Sequence, residues 1–173
     1  LTWNVKSLTT VYQYEPLGTG HALAAVEALV KPRESVLYLM PDTVFDSASL
    51  ATAIKHQFWP NTVFLWPTDR PTEMGCFLPR DGSVVDHCEK RQPLWPGPYL
   101  AWGAAVLSPE FLTYCQEAWV SGEWVKHATG REFTIDDGFD YALSRGMTFG
   151  AVEVEGPYYD CGTQAGVVSA EAW

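Results

Sequence analysis

The chain has 173 residues, with 11 basic against 21 acidic side chains and a formal net charge of −10. This length predicts one domain with a substantial core, and an apolar content of 47% excludes a disordered chain. The acidic balance argues against non-specific nucleic-acid binding, which depends on Lys and Arg neutralising phosphates. No apolar run reaches the length of a membrane-spanning helix, so we expect no membrane partner.

The cysteines and histidines argue against a disulfide scaffold and against a zinc site. No C-x-x-C pair occurs, and the cysteines are too sparse for a small secreted fold. We interpret all four as reduced thiols of a cytoplasmic protein, packing as small apolar side chains: Cys76, Cys88, Cys115 and Cys161. The histidines show no H-x-x-x-H spacing, at His21, His56, His87 and His127.

The first part of the chain alternates strand and helix patterns. In chain order it predicts a strand over 5–14, a Gly-rich loop over 17–20, a helix over 21–30, a strand over 36–40, a helix over 47–58 capped by Ser47 or Ser49, and a strand over 62–66. The apolar run 36–40 is typical of a strand buried on both faces of a parallel sheet.

The second part begins with a hairpin. The predicted elements are strands over 75–78 and 83–89, a Pro-rich loop over 91–98, a strand over 100–107, a helix from Ser108 to Val120, a helix over 136–145 closed by Gly146, strands over 148–154 and 158–160, and a helix opened by Gly162 and Thr163. The fold class is therefore α/β, a mostly parallel central sheet with helices on both faces and an antiparallel hairpin insertion.

Two aspartates occupy similar places after predicted strands. Asp42 follows the strand over 36–40, and Asp160 ends the short strand before Gly162. Ligands of open α/β sheets bind at the carboxyl ends of the strands, and Mg²⁺ prefers one or two carboxylates with phosphate and water oxygens. From position alone, an aspartate such as Asp42 is more often a turn former or a helix cap than a functional residue.

Two further segments carry weak patterns. The Gly-rich loop over 17–20 would present backbone N–H groups at a helix N-terminus, suited to an anion or a base edge. It is neither G-x-G-x-x-G nor a P-loop. Glu89 and Lys90 end a hairpin strand and, taken alone, form an exposed ion pair of little value.

Four segments together resemble the sugar-1-phosphate nucleotidyltransferases, also called nucleoside-diphosphate-sugar pyrophosphorylases. They occur in the family's order and span roughly residues 8–170: QYEPLGTGHA at 13–22, VLYLMPDTVF at 36–45, GCFLPRDGSVVDHCEK at 75–90 and YYDCGT at 158–163. The resemblance implies a Rossmann-like nucleotidyltransferase fold. It also implies a reaction of a nucleoside triphosphate, UTP or dTTP favoured, with a sugar 1-phosphate to give a nucleotide-sugar and pyrophosphate.

The resemblance also implies roles for particular residues. Those implied for the nucleotide are Gln13, Leu17, Gly18 and Thr19, and those for the sugar are Gly75, Glu89, Lys90 and Gly103. The implied catalytic residues are Asp42, Asp160 and Lys90, of which the two aspartates would hold Mg²⁺. Trp102, beside Gly103, departs from the family's small or amide residue, so it would narrow the sugar pocket or stack on a ring.

The family's opening Gly-rich triphosphate loop has no counterpart here, because only 12 residues precede Gln13. We therefore expect one nucleotidyltransferase-like domain over 1–173, incomplete at its N-terminus, with little activity by itself. The alternatives are a non-catalytic module that binds a nucleotide-sugar or sugar phosphate, or an assembly subunit. In the latter, the open sheet edge would pair with another copy or a partner chain.

Overall fold

The computed structural model describes residues 7–126 and 132–173. The helices are α1 (Thr19–Val26), α2 (Ser47–Lys55), α3 (Pro109–Ser121), α4 (Ile135–Ser144) and α5 (Gln164–Glu171). The strands are β1 (Val36–Leu39), β2 (Thr43–Phe45), β3 (Thr62–Thr68), β4 (Gly75–Arg80), β5 (Ser83–Glu89), β6 (Tyr99–Leu107), β7 (Gly150–Glu153) and β8 (Tyr158–Asp160). Six strands form one sheet in the order β1-β6-β3-β7-β5-β4, and β2 and β8 form a separate ribbon.

The central sheet is mixed, which corrects the prediction of a mostly parallel sheet. Within the described ranges β3 and β7 pair in parallel, whereas β6 runs antiparallel to β1, β3 and β4, and β5 runs antiparallel to β4 and β7. The reason lies in the connections. Between β3 and β6 the chain forms the β4–β5 hairpin and a Pro-rich loop but no crossover helix, which a parallel pair of strands would need, and β6 returns antiparallel to β3.

Helices pack on both faces of this sheet, as predicted. Alternate side chains of β3 point to opposite faces. Val63 and Leu65 join a core with residues of α1, α3 and α4, whereas Phe64 and Trp66 join a second core with residues of α2. None of the helices in the described ranges is long and apolar enough to cross a membrane.

Three sequence-based elements differ from the structure. Residues 7–13 form no strand and are largely exposed, and residues 5 and 6 lie outside the described ranges, as does His127. β1 is only half-buried and lies at the sheet edge against β6, so it is not the doubly buried strand expected. Asp46, not a serine, caps α2: its Oδ2 accepts a hydrogen bond from the Ser49 N–H at 2.8 Å.

Candidate active site

Two adjoining clefts open beside the ribbon and the ends of β1 and β5. We call the larger, about 530 Å³, the main cleft; its walls include Asp42, Glu73, Gly75, Glu89, Lys90, Trp102, Asp136, Tyr158, Asp160 and Gly162. The smaller, about 460 Å³, is the loop cleft, with walls that include Gln13, Gly18, Thr19, Thr134 and again Asp42, Glu89, Lys90 and Asp136.

The ribbon brings Asp42 and Asp160 together. Thr43 of β2 lies opposite Asp160 of β8 in the antiparallel register, and the Cys161 N–H donates to the Asp42 carbonyl at 2.7 Å. A Cβ placed on Gly162 would lie 3.0 Å from Asp160 Oδ1 and 3.2 Å from Asp42 Oδ2. Carboxylates 118 residues apart in the numbering thus border one small space.

This pair has the chemistry of a site for a hard cation. Both groups present carboxylate oxygens to the main cleft, and the missing side chain of Gly162 leaves room between them. Two like charges at this separation repel unless a cation lies between them. The oxygen donors, with space for water and phosphate oxygens, fit Mg²⁺.

Glu89 and Lys90 lie across the main cleft from the ribbon. In the β4–β5 hairpin Glu89 is opposite Gly75, and the Lys90 N–H donates to the Met74 carbonyl at 3.2 Å. Lys90 Nζ is 3.6 Å from Glu89 Oε1, but the lysine side chain is 66% exposed. Burial, and after it the neighbouring charge of Asp136, raises the pKa of Glu89 to about 8, and the opposing effect of Lys90 is smaller.

Asp136 is the site residue that the sequence analysis missed. It is the second residue of α4, is 5% exposed and belongs to both clefts. Its Oδ1 accepts a hydrogen bond from Trp102 Nε1 at 3.0 Å and lies 2.9 Å from His87 Nε2. The other ring nitrogen, His87 Nδ1, is 2.8 Å from Asp140 Oδ1.

A signal for Asp136 was present in the sequence. The capping box of α4 uses Thr134 and Asp137, so Asp136 is an acid that the helix start does not need. It is four residues before Asp140, which places both carboxylates on one face of the helix. Two acids on the inward face of a helix require a buried cation, and His87 supplies it.

His87 is therefore a buried imidazolium. Burial lowers the pKa of His87, but hydrogen bonds to Asp136 and Asp140 outweigh burial and raise this pKa to about 9. Both ring nitrogens then donate. Donor atoms of His87, Glu89 and Asp136 lie within 4.8 Å of one another, close enough to hold a metal ion. An imidazolium has no lone pair to offer, so this group does not fit a metal.

Gly75 lines the main cleft at a point where there is no space for a side chain. A Cβ there would lie 2.5 Å from Asp136 Oδ1, 2.6 Å from Trp102 Nε1 and 2.9 Å from a Glu89 carboxylate oxygen. Distances this short exclude any side chain, so a glycine lets Glu89 and Asp136 approach the same corner. Trp102 is 3% exposed, and its indole is held by Asp136.

The Gly-rich loop is packed against the segment before α4. The Gly18 φ of 105° suits glycine, and a Cβ there would collide with the Phe133 backbone. Gln13 Nε2 donates to the Gly18 carbonyl at 2.9 Å. The Leu17 carbonyl accepts from the Phe133 N–H at 2.8 Å, and Thr19 Oγ1 accepts from the Ile135 N–H at 3.0 Å.

Two of the amide groups at the start of α1 are already used within the protein, so they are not available to an anion. The N–H groups of Gly20 and His21 both donate to the Phe133 carbonyl, at 2.9 and 3.4 Å. The loop cleft keeps Gln13, Gly18 and Thr19 on its walls, whereas Leu17 is held by Phe133.

Gly103 does not line the main cleft itself but lies behind Tyr158, which does. A Cβ at Gly103 would collide with the Tyr158 ring, and the Tyr158 hydroxyl donates to the Trp102 carbonyl at 3.4 Å. Tyr158 also stacks on Trp66, with ring centroids 4.9 Å apart. Tyr158 rather than Gly103 therefore contacts the cleft, and the absence of a side chain at Gly103 leaves room for the tyrosine ring.

Comparison with known proteins identifies the fold. No protein-family model matches the chain, and no curated protein matches it. Solved structures do: a UDP-glucose pyrophosphorylase complexed with UDP-glucose matches at a TM-score of 0.74 and 22% identity, over 94% of this chain and 63% of that one. A UTP-bound UGPase from Acinetobacter baumannii matches at a TM-score of 0.67 and 18% identity, over 95% of this chain and 58% of that one.

A third structure, the inositol-1-phosphate CTP transferase from T. maritima, matches at a TM-score of 0.68 and 15% identity, over 87% of this chain and 58% of that one. At these identities the matches establish that the chain has the fold of the sugar-phosphate nucleotidyltransferases. The chain spans about 60% of the length of the solved structures that it matches.

Proposed function

We propose that the protein transfers a nucleotidyl group from a nucleoside triphosphate, UTP or dTTP favoured, to a sugar 1-phosphate. A phosphate oxygen of the sugar 1-phosphate attacks the α-phosphorus in line, and the α–β phosphoanhydride bond breaks. Pyrophosphate leaves with the bonding electrons, and the nucleotide-sugar remains. The observation that carries this proposal is the convergence of segments 13–19, 42–43, 75–90 and 158–163 on two adjoining clefts.

Each side of these clefts has a role in the proposed reaction. Gln13, Gly18 and Thr19 border the loop cleft, where a base edge would bind. Asp42 and Asp160 would hold Mg²⁺, which when bound neutralises phosphate charge. The protein then has little covalent work to do, since positioning and charge neutralisation carry the rate of phosphoryl and nucleotidyl transfer.

The sugar 1-phosphate, which is the acceptor in this reaction, would be bound by Glu89 and Lys90 at the end of the β4–β5 hairpin. Lys90 Nζ is exposed and free to turn toward a phosphate, since its pairing with Glu89 at 3.6 Å is loose. Glu89 is an acceptor for donor groups on the sugar, and its partial burial strengthens such a hydrogen bond. Gly75 lets Glu89 and Asp136 approach each other at this end of the cleft.

A second candidate is a module that binds a nucleotide-sugar without catalysis. The observation that favours it is charge: in the described part of the chain five carboxylates line the main cleft against Lys90 as its one basic side chain. The Gly20 and His21 amides at the start of α1 both donate to the Phe133 carbonyl, so these two are not available to a triphosphate. A nucleotide-sugar carries fewer negative charges than a triphosphate and suits such a cleft better.

A pyrophosphate-release assay separates the two candidates. Purified protein of verified mass is given Mg²⁺, each of UTP, dTTP, CTP and GTP, and a panel of sugar 1-phosphates. The transferase predicts release that needs both substrates and falls by about 10²-fold or more in Asp42→Asn and Asp160→Asn. Asp81→Asn, in the exposed β4–β5 turn, is the matched control and keeps full activity.

The outcomes differ clearly. Nucleotide-sugar binding without release from any substrate pair supports the binding module and rejects the transferase. Equal release by the wild type and both site variants rejects the placement of the reaction in this cleft. Ordinary turnover, roughly 10 per second, by the 173-residue chain alone would reject the expectation that it needs further residues.

A further inference from the structure

Trp102 lies beside a bulge in β6. In the antiparallel register with β3, Ala104 is opposite Phe64 and Trp102 is opposite Leu65, so Gly103 is an extra residue between the two pairs. A bulge of this kind bends the strand and re-aims the side chains next to it, and bulges are over-represented beside active sites.

The bulge determines which face of the sheet receives the indole. Trp102 and Ala104 are two residues apart, so in a regular strand both side chains would point to the same face. Instead, Ala104 belongs to the core that includes residues of α2, whereas Trp102 belongs to the core with α1, α3 and α4. The extra residue thus turns the largest side chain of β6 toward α4, where it becomes part of the wall of the main cleft.

The indole is held in one position on that side. Its Nε1 donates to Asp136 Oδ1 at 3.0 Å, and its ring is edge-to-face with Phe139, with centroids 5.2 Å apart. Asp136 is itself fixed by His87 at 2.9 Å, which Asp140 holds from its other nitrogen at 2.8 Å. Trp102 is only 3% exposed, so it has no free face to lay against a sugar and instead closes this end of the cleft.

The closed end has no spare volume. The position that a Cβ on Gly75 would take lies 2.5 Å from Asp136 Oδ1, 2.6 Å from Trp102 Nε1 and 2.9 Å from a Glu89 carboxylate oxygen. Even a methyl-sized group is excluded at that point of the wall, because three fixed side chains already meet there.

The side-chain hydrogen-bond donors at this end are already used. The indole N–H of Trp102 is given to Asp136. Burial raises the pKa of Glu89 to about 8, so this carboxyl keeps its proton at pH 7 and shares it with Asp136. A carbonyl oxygen turned toward this end would lose its hydrogen bonds to water and would have to compete with Asp136 for a donor.

We propose that Trp102 is a specificity-determining residue that limits the acceptor to sugar 1-phosphates without an acylamino group on the carbon next to the phosphate-bearing one. The inference rests on the proposed function and deepens it. With the phosphate at Lys90, that neighbouring carbon lies beside Glu89, which precedes Lys90 in the chain. A hydroxyl fits there, whereas an acylamino group would reach Trp102.

Isothermal titration of the unmodified protein with two matched ligands is the test. At pH 7 with Mg²⁺, glucose 1-phosphate is compared with N-acetylglucosamine 1-phosphate, which has an acetylamino group in place of one hydroxyl. Glucose 1-phosphate is expected to bind at least about tenfold more tightly. If neither monoester binds, the same preference is expected, and measured, between the UDP-linked or dTDP-linked forms of these two sugars.

Variants at Trp102 separate closing of the cleft from stacking on the sugar. Trp102→Leu opens space and should reduce the preference to less than about threefold, because the acetylated ligand binds more tightly while glucose 1-phosphate changes little. Trp102→Phe should give an intermediate preference. Trp124→Leu is the matched control, a buried tryptophan away from the main cleft, and should keep the full preference.

Circular dichroism checks that each variant folds. If Trp102→Leu does not fold, Trp102→Phe must still lower the preference. An unchanged preference in the variants that fold rejects the role of Trp102. A larger loss for glucose 1-phosphate than for the acetylated ligand would assign stacking instead, and would reject the closed end.

Failure of this inference is distinct from failure of the proposed function. If N-acetylglucosamine 1-phosphate binds the unmodified protein as tightly as glucose 1-phosphate, or more tightly, the specificity role is rejected while the transferase stands. If no monoester binds and none of the UDP-linked and dTDP-linked sugars binds, both are rejected.

Discussion

The two acidic ends of the main cleft differ in how they neutralise their charge. At the ribbon, Asp42 is exposed and faces Asp160 across the space left by Gly162, so this end depends on a cation from solution. The other end, formed by Gly75, Glu89, Trp102 and Asp136, is called the inner corner. There Asp136 is buried and is hydrogen-bonded to a cation of the protein itself, His87. The first end is built for an exchangeable ion, whereas the second is part of the core and sets the shape of the site.

An aspartate-to-alanine substitution should destabilise the protein strongly at the inner corner and hardly at all at the ribbon. Asp136→Ala leaves the His87 imidazolium buried with one partner, and removing one member of a buried ion pair costs about 3–5 kcal/mol. The melting temperature should fall by roughly 6–20 °C. Asp42→Ala, at an exposed position, should change the free energy of unfolding by less than about 0.5 kcal/mol.

Thermal denaturation followed by circular dichroism compares the two variants with the wild type. Similar losses in both variants would contradict the contrast between an exchangeable and a built-in cation. Asp140→Ala provides a further check, because it removes the other partner of His87 and should also destabilise the protein.

Raising the pH should weaken the inner corner. The His87 pKa rises from 6.5 to about 9 on folding, so its stabilisation is full below pH 6.5 and is lost as the pH approaches 9. The Glu89 pKa rises from 4.5 to about 8, which means that its ionisation opposes folding as the pH rises over that range. Both groups make the protein more stable at lower pH.

Between pH 6 and pH 9 we expect a loss of about 3–5 kcal/mol, or roughly 6–20 °C in melting temperature. Calorimetric scans across this range measure it. Glu89→Gln should reduce the dependence of the melting temperature on pH below pH 8. The decrease in melting temperature that remains should follow the titration of His87. A stability that rises steadily from pH 6 to pH 9 would show that these carboxyl and imidazole groups are wrongly assigned.

The ribbon end should respond to metal instead of pH. Mg²⁺ at ten times its dissociation constant stabilises a protein that binds it by about 1.4 kcal/mol, or roughly 3–6 °C at this chain size. EDTA should abolish this gain, and Asp42→Asn should lose it. Asp81→Asn should keep it, and a gain that survives in Asp42→Asn would place the ion elsewhere.

The smallest effect concerns the thiols. Burial raises the pKa of Cys76 and of Cys115 to about 12, and it also raises that of Cys88. Cys161 is half-exposed beside the ribbon. A thiol reagent at pH 7.5 should therefore modify one cysteine rapidly in the folded protein, identified as Cys161 by peptide mass. Rapid reaction of two or more would show that the hairpin core is open.

The sequence allowed more of the ribbon end to be predicted than of the inner corner. Asp42 and Asp160 each follow an apolar strand pattern, and Glu89 ends a hairpin with a clear turn, so local patterns place them. Asp136 and His87 meet only because α4 packs on β5, a contact between distant segments. No local pattern specifies which side chain that helix face will meet.

The sheet shows the same limit. Most strand positions followed from apolar runs, although residues 7–13 form no strand and β2 was not predicted. Strand directions depend on the connections, and the hairpin and Pro-rich loop between β3 and β6 reverse the chain without a helix. An apolar run such as 36–40 has the same pattern in a central strand and in an edge strand covered by helices.

Titration of UDP-glucose and dTDP-glucose into the protein by calorimetry, with Mg²⁺ and then with EDTA, tests most directly the claim that the two clefts form one nucleotide-sugar site. The account predicts that at least one of the two binds with 1:1 stoichiometry, that EDTA weakens binding at least about tenfold, and that Asp160→Asn does the same in Mg²⁺. Affinity that is unchanged by EDTA and by Asp160→Asn, or no binding of either nucleotide-sugar, would contradict it.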